Sequence, residues 1–208
     1  RDRYFDIENA TGGSAKDFLT GDAGANVLDG QAGDDTIDGG AGNDTLLGGA
    51  GNDSLTGGAG ADAIDLGSGF DIVRYAAASD SRVAAMDVVA NFTQSGGDGF
   101  DRIGFAKAAG ALFAGVAPTA IALGAHVALD GASTMDDLVA QLATGLAAST
   151  ATALAVTQVD VAYGGAAGRY LVVNDTAAAF DPATDMLIHL AMAAGSTANL
   201  SSGNVFLF

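Results

Sequence analysis

Residues 30–65 read GQAGDDTID GGAGNDTLL GGAGNDSLT GGAGADAID, four consecutive blocks of nine residues. The same frame extends on the N-terminal side to GGSAKDFLT and GDAGANVLD, beginning at Gly12. It extends on the C-terminal side to LGSGFDIVR, ending at Arg74. Residues 12–74 are therefore an uninterrupted array of seven nonapeptide blocks, and a fixed period of this kind indicates a repeat architecture.

Three positions of the block keep their chemical character throughout the array. The fourth position is Gly in every block except the first, which has Ala15. The eighth is always aliphatic: Leu19, Leu28, Ile37, Leu46, Leu55, Ile64 and Val73. The sixth is Asp17, Asn26, Asp35, Asp44, Asp53, Asp62 and Asp71. A Gly-rich turn of six residues followed by a strand of three predicts that the eighth side chain faces a core and its neighbours face water.

Two successive blocks predict one coil of 18 residues with a short strand on each side. Coils of this kind stack so that block n lies over block n+2. One parallel sheet then carries Leu19, Ile37, Leu55 and Val73, and the other carries Leu28, Leu46 and Ile64. The predicted fold class is mainly β, with a parallel coil over residues 12–74.

The same stacking places the sixth-position carboxylates over one another, for example Asp35 near Asp53 and Asp44 near Asp62. Two carboxylates about 4 Å apart repel by about 4 kcal/mol at an effective dielectric of 20. A column of them therefore needs cations between its levels. The array contains no His, Cys or Met, so the ligands are carboxylate and carbonyl oxygens, which favour Ca²⁺ over Zn²⁺ or Cu²⁺.

The nonapeptide resembles the RTX repeat, GGxGxDxUx, which binds Ca²⁺ in a parallel β-roll. The resemblance implies ions between turns n and n+2, at the pairs 17/35, 35/53, 53/71, 26/44 and 44/62, or about four to five ions. It implies side-chain ligands at the seven sixth positions. It also implies backbone carbonyl ligands at Gly30, Ala32, Gly33, Gly39, Gly40, Ala41, Gly42, Gly48, Gly49, Ala50, Gly51, Gly57, Gly58 and Gly60. Block 2 has Asn26 in place of Asp, and block 7 begins with Leu66 in place of Gly.

The composition excludes several classes of protein. The 208-residue chain has a formal charge of −17, with Glu8 as its only Glu, and residues 12–74 carry −9 of it. Such a charge excludes electrostatic binding to nucleic acid or to anionic membranes. The absence of Cys excludes disulfides, thiolate zinc sites and a Cys nucleophile. No apolar run is long enough to span a membrane. The start, Arg1 to Phe5, has no apolar signal segment, so we expect a fragment or a cleaved product.

A second resemblance covers residues 71–105. Ser79-Asp80-Ser81, Asp87-Val88-Val89-Ala90-Asn91-Phe92 and Asp101-Arg102-Ile103 look like the region that follows the last repeat in serralysin-type secreted proteins. The resemblance implies a capping and secretion region, export of the unfolded chain by type I secretion machinery through its C-terminus, and a location outside the bacterial cell or on its surface. It implies no particular activity.

Two short helices are predicted in the C-terminal half, at 105–115 and from about 133 to 148. The second would begin at Ser133 or Thr134 as N-cap and end at about Ala148. Asp136 and Asp137 would lie in its first turn, where negative charge is favourable. Strands are predicted at 119–129, 153–162, 169–174, 186–192 and 204–208. A hairpin around Gly164-Gly165 joins two of them. The predicted organisation is a lead-in at 1–11, the β-roll at 12–74, and a β-rich capping and secretion region with one or two short helices at 75–208.

The loop between residues 174 and 185 offers a further hypothesis. Asp175, Asp181 and Asp185 lie within it. These three residues either stabilise turns and cap neighbouring elements, or they bind an additional Ca²⁺ ion. His126 and His189 are 63 residues apart in apolar strand contexts, which favours packing over catalysis. No HExxH, GxSxG or GxxxxGK[ST] motif is present, so the sequence predicts no enzyme in this chain.

Three functions remain open from the sequence. The first is a calcium-binding module that folds on Ca²⁺ after secretion. The second is a surface-layer or adhesin segment in which Ca²⁺ also organises self-assembly or contact with the cell surface. The third is the C-terminal part of a secreted hydrolase or epimerase whose catalytic domain precedes Arg1.

Overall fold

A computed structural model of the chain describes residues 3–4, 7–82, 84–93, 101–105, 120–123, 127–129, 153–161, 168–174, 185–192 and 205–207. Their strands are β1 (Arg3–Tyr4), β2 (Asn9–Thr11), β3 (Phe18–Thr20), β4 (Val27–Asp29), β5 (Thr36–Ala41), β6 (Thr45–Leu47), β7 (Ser54–Ala59), β8 (Ala63–Asp65), β9 (Ile72–Tyr75), β10 (Val88–Phe92), β11 (Arg102–Phe105), β12 (Ala120–Leu123), β13 (Val127–Leu129), β14 (Ala153–Val161), β15 (Gly168–Asn174), β16 (Met186–Met192) and β17 (Val205–Leu207). A 3₁₀ turn occupies Ala78–Asp80.

The repeat strands form two parallel sheets, as predicted. Sheet 1 has the order β1-β3-β5-β7-β9-β11-β17, and all of its strands are parallel. Sheet 2 contains β2-β4-β6-β8-β10 as a parallel run. From β1 to β11, odd-numbered strands therefore enter sheet 1 and even-numbered strands sheet 2, as a chain coiling with two strands per turn requires. The mainly β, parallel β-roll prediction is confirmed.

The strand register is the one that an 18-residue coil predicts. Leu19 lies opposite Ile37, and Ile37 lies opposite Leu55 in sheet 1. Leu28 lies opposite Leu46, and Leu46 opposite Ile64, in sheet 2. All seven eighth-position side chains are at most 1% exposed, and they belong to one buried apolar cluster. The short strands alternate between buried and partly exposed side chains, because successive residues of a strand point to opposite faces.

The turns depend on glycine where one coil passes closely over the next. Gly49 has φ +100°, a left-handed conformation that side chains rarely adopt. A Cβ atom built there would collide with the carbonyl oxygen of Gln31 in the preceding coil. Gln31 itself holds φ 68° at the equivalent second position of its block, so the turn geometry is kept where the sequence departs from Gly.

The two sheets continue past Arg74. β10 pairs with β8, placing Val89 opposite Ile64, and β11 pairs with β9, placing Ile103 opposite Val73. Tyr75 stacks on Phe105 with ring centroids 5.9 Å apart, so aromatic side chains continue the core. The chain thus keeps coiling after the nonapeptide period ends, and the division at 12–74 and 75–208 stays a prediction.

The C-terminal strands complete sheet 2. β10 pairs in parallel with β16, with a register shift between Ala90 and Phe92, where Asn91 has φ 58°. β16, β15 and β14 then run antiparallel to one another, and β12 and β13 pair in parallel with β14. The predicted β14–β15 hairpin pairing is present, with Val159 opposite Tyr170. The predicted helix from Ser133 lies outside the described residues, as does 105–115 except for Phe105, which ends β11.

Candidate metal centre

Each sixth-position side chain lies immediately before its strand and points into the roll. Asp17, Asn26, Asp35, Asp44, Asp53, Asp62 and Asp71 are all only 1–2% exposed. The 18-residue register divides them into two columns. Column 1 holds Asp17, Asp35, Asp53 and Asp71, and column 2 holds Asn26, Asp44 and Asp62. The structure therefore brings together the side chains that the sequence predicts as neighbours.

One carboxylate oxygen of each column Asp after the first level is fixed by the main chain of the preceding coil. The N–H of Asp17 donates to Oδ1 of Asp35 at 2.7 Å, and the N–H of Asp35 donates to Oδ1 of Asp53 at 2.8 Å. The same hydrogen bond joins Asp53 to Asp71 at 2.8 Å. In column 2 it joins Asn26 to Asp44 at 2.8 Å and Asp44 to Asp62 at 2.9 Å. The stacked coils thus fix the orientation of these carboxylates.

The second oxygen of these carboxylates has no hydrogen-bond partner within the described part of the chain. This is true of Oδ2 in Asp35, Asp44, Asp53, Asp62 and Asp71. A buried charged oxygen without a partner is costly, and such groups are normally paired or coordinate a metal. The donor set therefore fits a bound cation.

Backbone carbonyls converge on the same oxygens. A Cβ atom built on Gly30 would lie 2.5 Å from Oδ2 of Asp35 and 2.7 Å from the carbonyl oxygen of Gly48. One built on Gly48 would lie 2.5 Å from the carbonyl oxygen of Leu66 and 2.8 Å from Oδ2 of Asp53. Only a residue without Cβ leaves room between these oxygens. Leu66, in the first position of block 7, supplies the same carbonyl as the glycine it replaces.

The residues predicted as carbonyl ligands fall into four groups by position. The carbonyls of Gly30, Gly39, Gly48 and Gly57 reach toward the column side chains of the preceding coil. Those of Gly33, Gly40, Gly42, Gly49 and Gly51 lie beneath a glycine of the following coil. The Ala50 carbonyl accepts the Gly33 N–H, and Ala32 and Ala41 donate their N–H groups to the preceding coil. Gly58 and Gly60 pass directly over Gly40 and Gly42. Ligation at each of these positions stays a prediction.

The electrostatics of the columns oppose ionisation in the absence of a cation. Burial, together with neighbouring carboxylates, raises the pKa of Asp53 and of Asp62 to about 6 and that of Asp71 to about 7. Burial also raises the pKa of Asp35 and of Asp44. Among the described residues, no three acidic or His side chains form a metal-binding group. The predicted sites would therefore need oxygens other than carboxylates, such as backbone carbonyls, to complete a Ca²⁺ coordination shell.

Sequence reasoning missed two members of the columns, Asp87 and Asp101. The Asp62 N–H donates to Oδ1 of Asp87 at 2.9 Å, and the Asp71 N–H donates to Oδ1 of Asp101 at 2.9 Å. Both carboxylates are at most 1% exposed. Asp87 thus extends column 2, and Asp101 extends column 1. The signal was present, because Asp87-Val88-Val89 and Asp101-Arg102-Ile103 repeat the pattern of an Asp two residues before an aliphatic side chain.

The predicted loop site is only partly placed. Asp185 is buried immediately before β16, while Asp175 and Asp181 lie outside the described residues. The loop site therefore stays a prediction. His189 stacks on Tyr170 with ring centroids 4.9 Å apart, which agrees with the packing role expected of it, and His126 lies outside the described residues.

These features define a calcium-binding β-roll. The family model described as the RTX calcium-binding nonapeptide repeat (4 copies) matches residues 11–46 and 39–73. Residues 11–73 are therefore an array of RTX calcium-binding repeats that forms a β-roll. The repeat is a calcium-binding, non-catalytic module.

The other comparisons add little to this assignment. No curated protein matches the chain. A similar solved structure is the solution structure of the AlgE6R3 subunit from the Azotobacter vinelandii mannuronan C5-epimerase, at 22% identity, covering 94% of this chain and 80% of that one, with a TM-score of 0.33. A TM-score this low does not decide the fold, which rests on the strand register.

Proposed function

We propose that this chain is a Ca²⁺-dependent folding module of an extracellular bacterial protein, exported unfolded by type I secretion machinery. The observation that carries the proposal is the set of buried Oδ2 atoms without hydrogen-bond partners in Asp35, Asp44, Asp53, Asp62 and Asp71. Asp17 and Asn26 complete the predicted pairs at the N-terminal end of the two columns. Together the seven side chains and the first-position carbonyls would hold about five ions within the array.

Calcium would supply the charge that the columns lack. Residues 12–74 carry a net charge of −9, so the folded coil repels itself until divalent cations are bound. Five ions would add ten positive charges and offset that excess. Because each predicted site needs two formed coils, binding and folding are coupled, and binding stabilises the folded state by mass action.

The dependence on calcium suits export. Calcium-binding modules of extracellular proteins have dissociation constants of roughly 10⁻⁴–10⁻³ M, so they fill outside the cell. An array that stays unfolded where Ca²⁺ is scarce keeps the chain in a threadable form. The likeness of residues 71–105 to the region after the repeats in serralysin-type proteins supports the same role. Within the described residues no helix is long and apolar enough to cross a membrane.

Far-UV circular dichroism during a Ca²⁺ titration of residues 1–208 tests the proposal. We expect a disordered spectrum in excess chelator and a cooperative gain of β-structure as Ca²⁺ approaches the millimolar range. Mg²⁺ at the same concentration is the control, because it prefers to retain several waters and should not replace Ca²⁺. A complete β-spectrum in chelator would contradict the coupling of folding to calcium.

A further inference from the structure

Phe70 departs from the pattern of the array at an exposed position. The fifth residue of the other six blocks is small or hydrophilic: Lys16, Ala25, Asp34, Asn43, Asn52 and Ala61. Phe70 holds this position in block 7 and is 53% exposed. Within the described part of the chain, the other large apolar side chain with such exposure is Val27, on β4. The Phe70 ring therefore lies outside the core and can contact a ligand.

The stacking of the turns does not depend on the Phe70 ring. The main-chain N–H of Phe70 donates to Oδ1 of Asn52 at 2.9 Å, and the N–H of Asn52 donates to Oδ1 of Asp34 at 2.8 Å. On the other side of the roll, the N–H of Ala61 donates to Oδ1 of Asn43 at 3.0 Å. These hydrogen bonds use only the main chain of the later residue. They fix the backbone that carries the ring, and they do not require an aromatic side chain.

A cavity of about 290 Å³ lies beside this ring and is lined by Phe70, Asp71, Ile72 and Arg102. Its volume is close to the lower end of the range of about 300–1,000 Å³ that small-molecule sites occupy. Ile72 on β9 lies opposite Arg102 on β11. Both side chains are half-buried, and the residue that follows each of them is in the core. The cavity is therefore on the outer face of sheet 1, because successive strand residues point to opposite faces.

The charges at this cavity favour an anion, although the chain as a whole is acidic. The sequence has 8 Lys and Arg residues against 25 acidic residues. Two of those cations, Arg74 and Arg102, lie on the outer face of adjacent strands, with Arg74 opposite Gly104. Diagonal neighbours of this kind are about 7–8 Å apart. Asp71 is 1% exposed and its Oδ1 accepts the Asp53 N–H at 2.8 Å, so its carboxylate lies on the inner side of the strand.

We propose that this cavity binds a carboxylate carried on an aromatic ring, with the ring against Phe70 and Ile72 and the carboxylate on Arg102. Aromatic rings pair favourably in offset or edge-to-face geometry, and a guanidinium binds a carboxylate through two parallel hydrogen bonds. A guanidinium has five N–H donors, so the ligand adds to the contacts that Arg102 makes within the chain. The described lining residues have no hydroxyl or amide side chain, so a sugar ring would leave its hydroxyl groups without partners there.

The inference goes beyond the proposed function, because it needs only the folded roll in which β9 and β11 pair. Ligand-detected NMR with phenylacetate, on the full chain in millimolar Ca²⁺, tests it. We expect saturation transfer from the protein to the ring protons of phenylacetate, and binding of the uncharged phenylacetamide that is weaker by about fivefold or more. Equal binding of the acid and the amide, or no binding of the acid to the folded chain, overturns the proposal. Full competition by glucuronate also overturns it, because the site would then recognise the carboxylate alone.

Two variants with matched controls assign the binding to the cavity. Phe70→Asn introduces the residue that blocks 4 and 5 carry at this position, and Arg102→Gln removes the guanidinium. We expect each to weaken phenylacetate binding by about fivefold or more. Val27→Thr and Lys16→Gln remove an exposed apolar side chain and an exposed cation elsewhere, and they should bind like the wild type.

Circular dichroism in Ca²⁺ checks that each variant folds, and Phe70→Asn provides the decisive comparison if Arg102→Gln does not. Wild-type binding by folded Phe70→Asn overturns the proposal. A chain that is fully folded in chelator would contradict the proposed function alone, and phenylacetate binding would then be measured in chelator as well.

Discussion

The main-chain N–H of Asp35 donates a hydrogen bond of 2.8 Å to Oδ1 of Asp53, 18 residues further along the chain. One coil therefore positions the carboxylate of the next, and Oδ2 of Asp53 is left without a hydrogen-bond partner in the described residues. The same arrangement, with Oδ1 hydrogen-bonded to the preceding coil and Oδ2 without a partner among the described residues, recurs in both columns. It means that coil stacking creates the proposed metal-binding oxygens, so we expect the fold and the site to form together.

Replacing one column carboxylate should weaken calcium-dependent folding. Asp35→Asn keeps the Oδ1 acceptor for the Asp17 N–H but loses the negative charge and the Oδ2 ligand. We expect the Ca²⁺ concentration at the folding midpoint to rise on the order of tenfold, since ligand charge tunes calcium affinity. Asp34→Asn is the control, because Asp34 is exposed and the same charge is removed one residue away. Equal midpoints for the two variants would contradict the ligand role of Asp35.

Glycine at the second position of a block should be required where the coils stack. Gly49→Ala places a Cβ on the Gln31 carbonyl at a φ of +100°, and we expect it to lower the free energy of unfolding by about 2 kcal/mol or more. Gly13 occupies the equivalent position of block 1, where the nearest atom to a built Cβ is 4.0 Å away. Gly13→Ala should change stability by less than about 1 kcal/mol. Urea unfolding at saturating calcium measures both, and a similar loss in Gly13→Ala would refute the stacking explanation.

The loss of stability on shortening a Leu side chain in a repeat strand should depend on whether that side chain faces the core. Leu46 is fully buried, while its neighbour Leu47 faces outward and is partly exposed. We expect Leu46→Ala to cost about 2–5 kcal/mol because it leaves a cavity in the core. Leu47→Ala should cost less than about 1 kcal/mol. Thermal or urea unfolding of the calcium-bound protein distinguishes them, and equal losses would be inconsistent with the β-roll register.

Acidification should partly substitute for calcium in stabilising the folded chain. The pKa of Asp53 and of Asp62 is raised to about 6, that of Asp71 to about 7 and that of Asp87 to about 8, chiefly by burial. The folded, metal-free state therefore binds more protons than the unfolded state, whose Asp pKa is about 3.9. Stability from these groups is complete below about pH 4 and is lost as the pH rises through about 6 to 8. Circular dichroism in metal-free buffer should show β-structure increasing on acidification from pH 8 toward pH 5, and a decrease would contradict the assignment.

The nonapeptide array could be predicted closely because its period fixes both the fold and the site. Once Ile37 and Leu55 are known to face one core, the 18-residue spacing places Asp35 beneath Asp53 with no further information. The continuation past Arg74 could not be predicted in this way. The links from Asp62 to Asp87 and from Asp71 to Asp101 span 25 and 30 residues, so the period is lost although the strand register is kept.

The unpartnered oxygens also could not be predicted from the sequence. Asp87 and Asp101 share the same local pattern, an Asp two residues before an aliphatic residue. Only the folded chain shows that the Thr93 N–H reaches Asp101, while the side chain of Tyr75 lies beside Asp87. The difference depends on which loop returns to the end of each column, and loop placement does not follow from strand periodicity.

Amide hydrogen exchange across residues 12–74, measured at neutral pH in excess chelator and again in millimolar Ca²⁺, is the most direct test of calcium-dependent folding of the columns. The N–H groups of Asp17, Asp35 and Asp53 donate to the next carboxylate of the column, so their protection reports column formation residue by residue. We expect strong protection of these amides in Ca²⁺ and exchange at unfolded rates in chelator. Equal protection in both conditions would show that the columns form without calcium and would contradict calcium-dependent folding.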